Sequence, residues 1–433
     1  MKKIVRITMR LLFVLVITSY CGKKKMPDSL SSINIEDNFK NMQKIYMSQF
    51  CENIQYIPLE ANKQHPLSWN TSIRADFTEE FILESNGRQC ILYDDKGKYL
   101  RQIGEQGRGP GEYTLILNVW IKNEKIYIRD YYDLIEYQMD GTFQKRYKNI
   151  FYVNEKYLME ETIFLNDTMV FGNIENRTGH EQLKALIINK SGEIKYTYKN
   201  YVMFNLGSGV SRAKSPGKAI MFKFKDKFFF KEFLNDTLFQ MDDKYQLNPV
   251  YIFNFGKYKE SLHERGMSWF QIDLSSYIDL DHIFQIQNHL ILICAYNNNF
   301  PAKRKTPEEL NLPGLEGITL WYNTTAVLGI FDKRKENLVF SLPTSTDIHL
   351  NTSGLYNDID AGPRFLPGKL INDTTMVMKI NFSHLLEYIQ SDEFKSNNPK
   401  YPEKKKKLMS LVDSLKKTDF DNPIYMCVTF KSE

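Results

Sequence analysis

Residues 93–113 read YDDKGKYLRQIGEQGRGPGEY, and a hairpin runs into a glycine-rich loop within them. Residues 90–93 (CILY) and 98–103 (KYLRQI) alternate apolar and polar side chains on either side of the turn at residues 94–97 (DDKG). The same unit returns across turns at Asp140–Gly141, at residues 189–192 (NKSG), at 242–244 (DDK) and at 332–335 (DKRK). The first four turns stand about 45 to 52 residues apart, the period of a four-stranded propeller blade. About 90 residues separate the fourth turn from the fifth. That interval holds strand sequence at 278–296 and a polar, proline-bearing stretch at 297–313, and it reads as one blade with a long loop. Residues 369–380 supply further strand sequence. A helical insertion follows at about 383–417, where Leu408, Leu411, Val412 and Leu415 keep helical spacing, before a last strand at 423–430. A propeller closes without an open edge, and residues 53–60 (NIQYIPLE) suit the last strand as its partner. The predicted fold is therefore all-β: a six-bladed β-propeller closed by pairing the N-terminal strand into the last blade, with a small helical insertion near the C-terminus.

The chain opens with a targeting pattern. Lys2, Lys3, Arg6 and Arg10 precede the apolar run 11–17 (LLFVLVI), which is too short to span a bilayer needing about 20 residues and reads as a signal peptide over residues 1–20. Cys21 stands in a lipobox-like setting (TSYCG), with Tyr20 departing from the small residue expected there, and is the candidate lipidation site. Lys23, Lys24 and Lys25 follow and suit anionic head groups. Residues 21–50 are assigned to the anchor linker and N-terminal segment, and 51–433 to one propeller. Removing the leader's four cations from 57 Lys+Arg leaves 53 against 52 Asp+Glu, a net of +1. Such a balance gives no basic face for nucleic acid. Cys51, Cys90, Cys294 and Cys427 lack zinc-site spacing. Cys51 with Cys427 is the pair that chain closure could bring together.

The chain resembles the six-bladed β-propeller lipoproteins of Bacteroidetes, akin in architecture to NHL-repeat and TolB-like propellers. The matching stretches are 54–60 (IQYIPLE), 93–104 (YDDKGKYLRQIG), 107–113 (GRGPGEY), 233–238 (FLNDTL), 357–360 (NDID) and 421–424 (DNPI). The G-x-G-P-G-E-Y element is the specific one. The resemblance implies a secreted or envelope-anchored propeller, facing the periplasm or the outer-membrane surface, and no established chemistry.

Two segments stand out as candidate sites. In the loop 104–113, close glycines with Pro110 permit a nest of exposed N–H groups that can bind an anion, and Arg108 can grip a carboxylate or phosphate. Arg101, Gly107, Arg108, Gly109, Gly111, Glu112 and Tyr113 are the candidate ligand contacts. The competing reading is an inter-blade turn with Glu112 paired to Arg101 or Arg108 and Tyr113 packed. Asp358 and Asp360, beside Asn357, offer hard oxygens of the kind calcium prefers; the competing reading is a turn paired with Arg364. His282 and His289, seven apart in strand-like sequence, read as lying on opposite faces. No HExxH, GxSxG or local Ser–His–Asp arrangement occurs. Trp69, Trp120, Trp269 and Trp321 read as spacers between blades, and Lys404–Lys407 as a solvated helix face. The expected function is an envelope-anchored module that binds a protein, peptide or glycan at the channel-mouth loops. The alternative is a calcium-dependent hydrolase or lyase using Asp358 and Asp360.

Overall fold

The computed structural model describes residues 30–60, 74–211, 218–267, 277–296, 325–343, 353–417 and 423–431. The leader, Cys21, Lys23–Lys25, the stretch 297–313 and Trp69, Trp269 and Trp321 lie outside them.

Six four-stranded antiparallel sheets follow one another along the chain. Blade 1 runs from Ala75–Phe77 through Phe81–Ser85 and Cys90–Asp94 to Tyr99–Gln102, and blade 2 from Ile116–Lys122 to Phe143–Tyr147. Blade 3 spans Thr162–Phe164 to Ile194–Lys199, blade 4 Ile220–Phe224 to Leu247–Asn254, and blade 5 Ile278–Ile286 to Asn337–Phe340. Blade 6 takes Lys369–Asn372, Thr375–Asn381 and Pro423–Phe430, and its fourth strand is Cys51–Pro58 from the other end of the chain. The six-bladed propeller and its closure by the N-terminal strand agree with the sequence reading. The repeated hairpin is the outer pair of strands in blades 1 to 5. Blade 6 lacks one because two distant segments build its outer pair.

Closure also settles the cysteines. Gln55 lies opposite Cys427 and Phe430 opposite Cys51, so the two thiols sit four residues apart along the ladder, about 13 Å. The pairing considered for Cys51 and Cys427 is therefore not made; both are free and buried, as are Cys90 and Cys294.

The antiparallel order fixes two faces. Turns joining strands one to two and three to four emerge on one face. Those joining two to three, and the links between blades, emerge on the other, called here the linker face. On the first face the strand-one turns are tight: Asn123 and Glu124 have φ of 50° and 56°, and Lys225 and Asp226 have 48° and 60°. Both central residues are thus left-handed, which matches the twist of the flanking strands.

Apolar side chains from successive blades fill the seams between them. Tyr113, Val119, Ile128 and Tyr137 meet Leu83, Cys90 and Leu92 between blades 1 and 2. Trp120 packs edge-on to Phe164 at 5.1 Å between blades 2 and 3, the spacer role expected of it. Buried cations add to these seams. The fifth residue of the second strand is Arg129, Lys231 and Lys379 in blades 2, 4 and 6. Arg129 reaches blade 3 at Thr162 Oγ1 (3.1 Å) and the Glu160 carbonyl (2.8 Å). Lys379 reaches Glu84 of blade 1 at 2.7 Å, with side chains 3% and 0% exposed, and Tyr425 also donates to Glu84. This last cluster sits on the seam where the ring closes.

Residues ahead of position 51, read from sequence as linker, carry structure. Ser31–Asn34 adds a parallel fifth strand to the outer edge of blade 4. The helix Ile35–Phe39 buries Ile35 and Phe39, and Phe39 meets Phe340 of blade 5 edge-on at 5.1 Å. Bridges at Gln43–Ser341 and Tyr46–Tyr356 then carry the chain towards blade 6. The segment is a strap across three consecutive blades. On the linker face of blade 6, the insertion forms helices Phe382–Gln390, Asp392–Ser396 and Pro402–Leu415, whose Leu385, Phe394, Leu408 and Val412 enter one core with the blade 5–6 link. No helix among the described residues is long and apolar enough to cross a membrane.

Candidate functional site

The glycine-rich loop links blades 1 and 2 on the linker face, and the N–H groups of Gly107 and Gly109 are already occupied. Gly107 N donates to the Tyr113 carbonyl at 2.9 Å, and Gly109 N to Glu112 Oε2 at 2.7 Å. A Cβ on Gly107 would lie 2.0 Å from Glu112 Oε2, and one on Gly111 2.9 Å from Phe143 Cβ. The glycines therefore make room for the chain's own anion and for the neighbouring blade. Tyr113 is fully buried, and Tyr137 donates to the Gly111 carbonyl at 2.9 Å. The cation that holds the loop is Arg146 of blade 2. It binds the carbonyls of Pro110 (3.2 Å) and Glu112, together with Asp133 (2.7 Å) and Asp130 (3.1 Å). These carboxylates hold its guanidinium above the usual value against the opposing effect of partial burial. Asp130 Oδ1 in turn caps Thr114 N, Thr114 Oγ1 and Leu115 N. Gly107, Gly109, Gly111, Glu112 and Tyr113 thus serve an inter-blade lock. Arg101 and Arg108 are exposed, and neither pairs with Glu112.

A groove of about 620 Å³ opens beside this lock. The turn between strands two and three of blade 1 forms one wall through Asn86, Gly87, Arg88 and Gln89. Gln102, Glu105, Gln106 and Leu115 of the inter-blade link form the other, and Arg74 reaches in from the start of blade 1. Several of these groups are fixed before any ligand arrives. Arg74 Nη1 donates to the Ile116 carbonyl at 3.0 Å, and a Cβ on Gly87 (φ 93°) would lie 2.7 Å from that nitrogen. Asn86 Oδ1 accepts both the Arg88 and the Gln89 N–H at 2.9 Å, setting the turn that presents Arg88. Gln102 Nε2 donates to the Gly104 carbonyl at 2.9 Å, while its Oε1 is buried with no partner. Arg88 and Glu105 are exposed. Among the described residues the lining offers guanidinium and amide donors, amide acceptors and a single carboxylate, with no hydroxyl, thiol or imidazole. That chemistry suits hydrogen-bonded recognition.

Asp358 and Asp360 are directed to different partners. Asp358 accepts from Ser48 N at 2.9 Å and Ser48 Oγ at 2.6 Å, holding the strap's short helix Met47–Phe50. Asp360 is 2% exposed and accepts from Asn357 Nδ2 at 2.6 Å, Gly362 N at 2.8 Å and Tyr56 Oη at 3.4 Å. Burial raises the Asp360 carboxyl, and these bonds partly offset the rise. Arg364 pairs with Glu393 at 3.0 Å and lies 3.9 Å over the Tyr356 ring, so it is not the partner of either aspartate. Among the described residues no three His, Cys, Asp or Glu side chains gather to hold a metal ion. His282 and His289 fall on two paired strands of blade 5 rather than one, because the turn at 287–288 separates them.

The groove residues Arg74, Arg88, Gln102 and Glu105 carry no motif in the sequence, apart from Asn86–Gly87 as a turn signal. No curated protein matches the chain. Among solved structures, a protein of Bacteroides fragilis named as exported is similar over 93% of this chain and 100% of its own, at 14% identity and TM-score 0.60. A member of the DUF4221 family from Bacteroides vulgatus is similar over 88% and 98%, at 12% identity and TM-score 0.52. These likenesses concern the fold. A family model described as domain of unknown function DUF4934 matches residues 30–429, and the chain belongs to that family.

Proposed function

We propose that the protein is an extracytoplasmic binding module that recognises a polar, carboxylate-bearing segment of a peptide or glycan in the blade 1 groove. One observation carries this reading: a groove of about 620 Å³ in which Arg74 and Gln102 are held in place and the exposed Arg88 is presented by a fixed turn. Its volume lies within the range of small-ligand sites, about 300–1,000 Å³. Arg88 and Arg74 meet the carboxylate, and Arg108 on the exposed loop adds a third cation at the rim. The leader pattern, with Cys21 as the acylated residue, and the exported name of the Bacteroides fragilis neighbour support an envelope location. An array of acidic peptides and uronate-bearing oligosaccharides tests the reading. Binders retained by the wild-type protein are expected to lose at least about tenfold in affinity on Arg88→Glu, about 1.4 kcal/mol. Binders indifferent to Arg88→Glu, or turnover of a bound compound, would overturn it.

A further inference from the structure

We propose that the face opposite the linker face carries a second site, between blades 4 and 5, that takes a small amphipathic carboxylate such as a medium-chain fatty acid. A cavity of about 420 Å³ lies there. The turn Lys225–Asp226 of blade 4 and the turn beginning at Lys333 of blade 5 form its mouth, and the strap closes its outer side at Ser31. Phe224, Phe229 and Tyr251 line it, with Phe229 stacked on Phe222 at 4.9 Å. Lys225 Nζ and Lys333 Nζ stand 5.5 and 5.9 Å from the Phe224 centroid, and Lys227 also lines the cavity. Two cations around one aromatic ring gain from its face, yet they repel each other. Burial and the nearby Lys225 charge both lower the Lys333 ammonium.

No carboxylate forms a salt bridge to these three lysines among the described residues. Asp226 stands exposed in the mouth turn, one carboxylate beside three lysines, and two other neighbouring acids are turned to other work. Glu336 accepts from Ser31 Oγ at 3.2 Å on the outer side, and Asp373 accepts from Lys225 N at 3.2 Å through the backbone. An apolar wall with an excess of positive charge at its mouth matches an anion with an apolar tail. The tail displaces water from Phe229 and Tyr251, while the carboxylate relieves the repulsion between Lys225 and Lys333. Gln285, 7% exposed and lining the cavity, provides an amide at its inner end.

Calorimetric titration of the full chain with dodecanoate below its micelle concentration tests the proposal, with dodecyltrimethylammonium as the charge control. One-to-one binding of dodecanoate and none of the cation are expected. Lys225→Glu and Lys333→Glu are each expected to weaken binding at least about tenfold, whereas Lys407→Glu on the distant helix and Arg88→Glu on the other face leave it unchanged. Should charge reversal lower the melting temperature, Lys225→Met and Lys333→Met, which keep the apolar stems, carry the same comparison. Absence of saturable binding, equal binding of both detergents, or undiminished affinity in the Lys225/Lys333 double variant would overturn the proposal. The Arg88→Glu control keeps failure here distinct from failure of the groove assignment.

Discussion

Replacing Lys379 by methionine strikes the seam where blade 6 meets blade 1. The ammonium lies 2.7 Å from Glu84 Oε1, both side chains are almost wholly buried, and Tyr425 donates to the same carboxyl. In the native protein burial pushes the Glu84 carboxyl upward, and Lys379 and Tyr425 pull it back. Methionine fills the space of the lysine stem but leaves Glu84 with one hydrogen bond and only the weaker influence of the Lys369 charge. Breaking a buried pair from one side costs about 3–5 kcal/mol. The loss should depend on pH in a defined sense. Without Lys379 the folded-state pKa of Glu84 rises further above its unfolded value, so the folded chain binds the extra proton. Stability is then present at low pH and falls as pH rises from about 4 through the folded-state value. The Lys379→Met deficit is therefore expected to be smaller near pH 4.5 than at pH 7. Adding Glu84→Gln removes the stranded charge while keeping an acceptor for Tyr425, and should recover about 2 kcal/mol or more. Urea unfolding of wild type, both single variants and the double variant measures this coupling. Additivity within about 0.5 kcal/mol would show that the two residues do not share a seam and would refute the reasoning.

Two further outcomes follow from particular residues. Burial lowers the Lys231 ammonium to about 8, with Asp236 and Glu232 opposing the shift. Between that value and the ordinary lysine pKa the unfolded chain binds more protons, so stability rises with pH. The wild-type protein should gain about 2–3 kcal/mol over Lys231→Met from pH 7.5 to 10, and parallel pH curves would count against a buried Lys231. Gly107→Ala places a methyl group against the Glu112 carboxylate and should cost about 1–2 kcal/mol through loss of the Gly109 bond. The same substitution in a Glu112→Ala background should cost little, and an undiminished loss there would mean that Glu112 does not fill the loop.

The propeller was legible because its outer hairpins are local. Residues 90–103 and their four counterparts carry strand alternation and turn chemistry within about 14 residues each. Blade 6 was recoverable only through the need to close an edge, since Cys51–Pro58 and Pro423–Phe430 lie at opposite ends of the chain. Ser31–Asn34 was not legible: four residues pairing in parallel with Tyr251–Asn254 leave no periodic signal. In the glycine-rich loop, the spacing announced an anion but not its source. Glu112 stands one residue beyond the glycines, and only the fold shows its carboxylate turned back onto Gly109. The Asp358–Asp360 alternation was visible, but the partners that separate the two, Ser48 and Tyr56, are some 300 positions away. The groove escaped for the same reason. Its walls at 86–89 and 102–106 are brought together by the blade's topology, and neither holds a motif.

The loop's self-sufficiency underlies the assignment of recognition to the groove instead, and amide hydrogen exchange of the unliganded protein tests it most directly. Slow exchange is expected at Gly107, Gly109 and Glu112, whose N–H groups bond the Tyr113 carbonyl, the Glu112 carboxylate and the Gly109 carbonyl, with Gly109 becoming fast in Glu112→Ala. Fast exchange at Gly109 in the wild-type protein, slowed only when an added anion binds, would contradict the lock and return the site to the glycines.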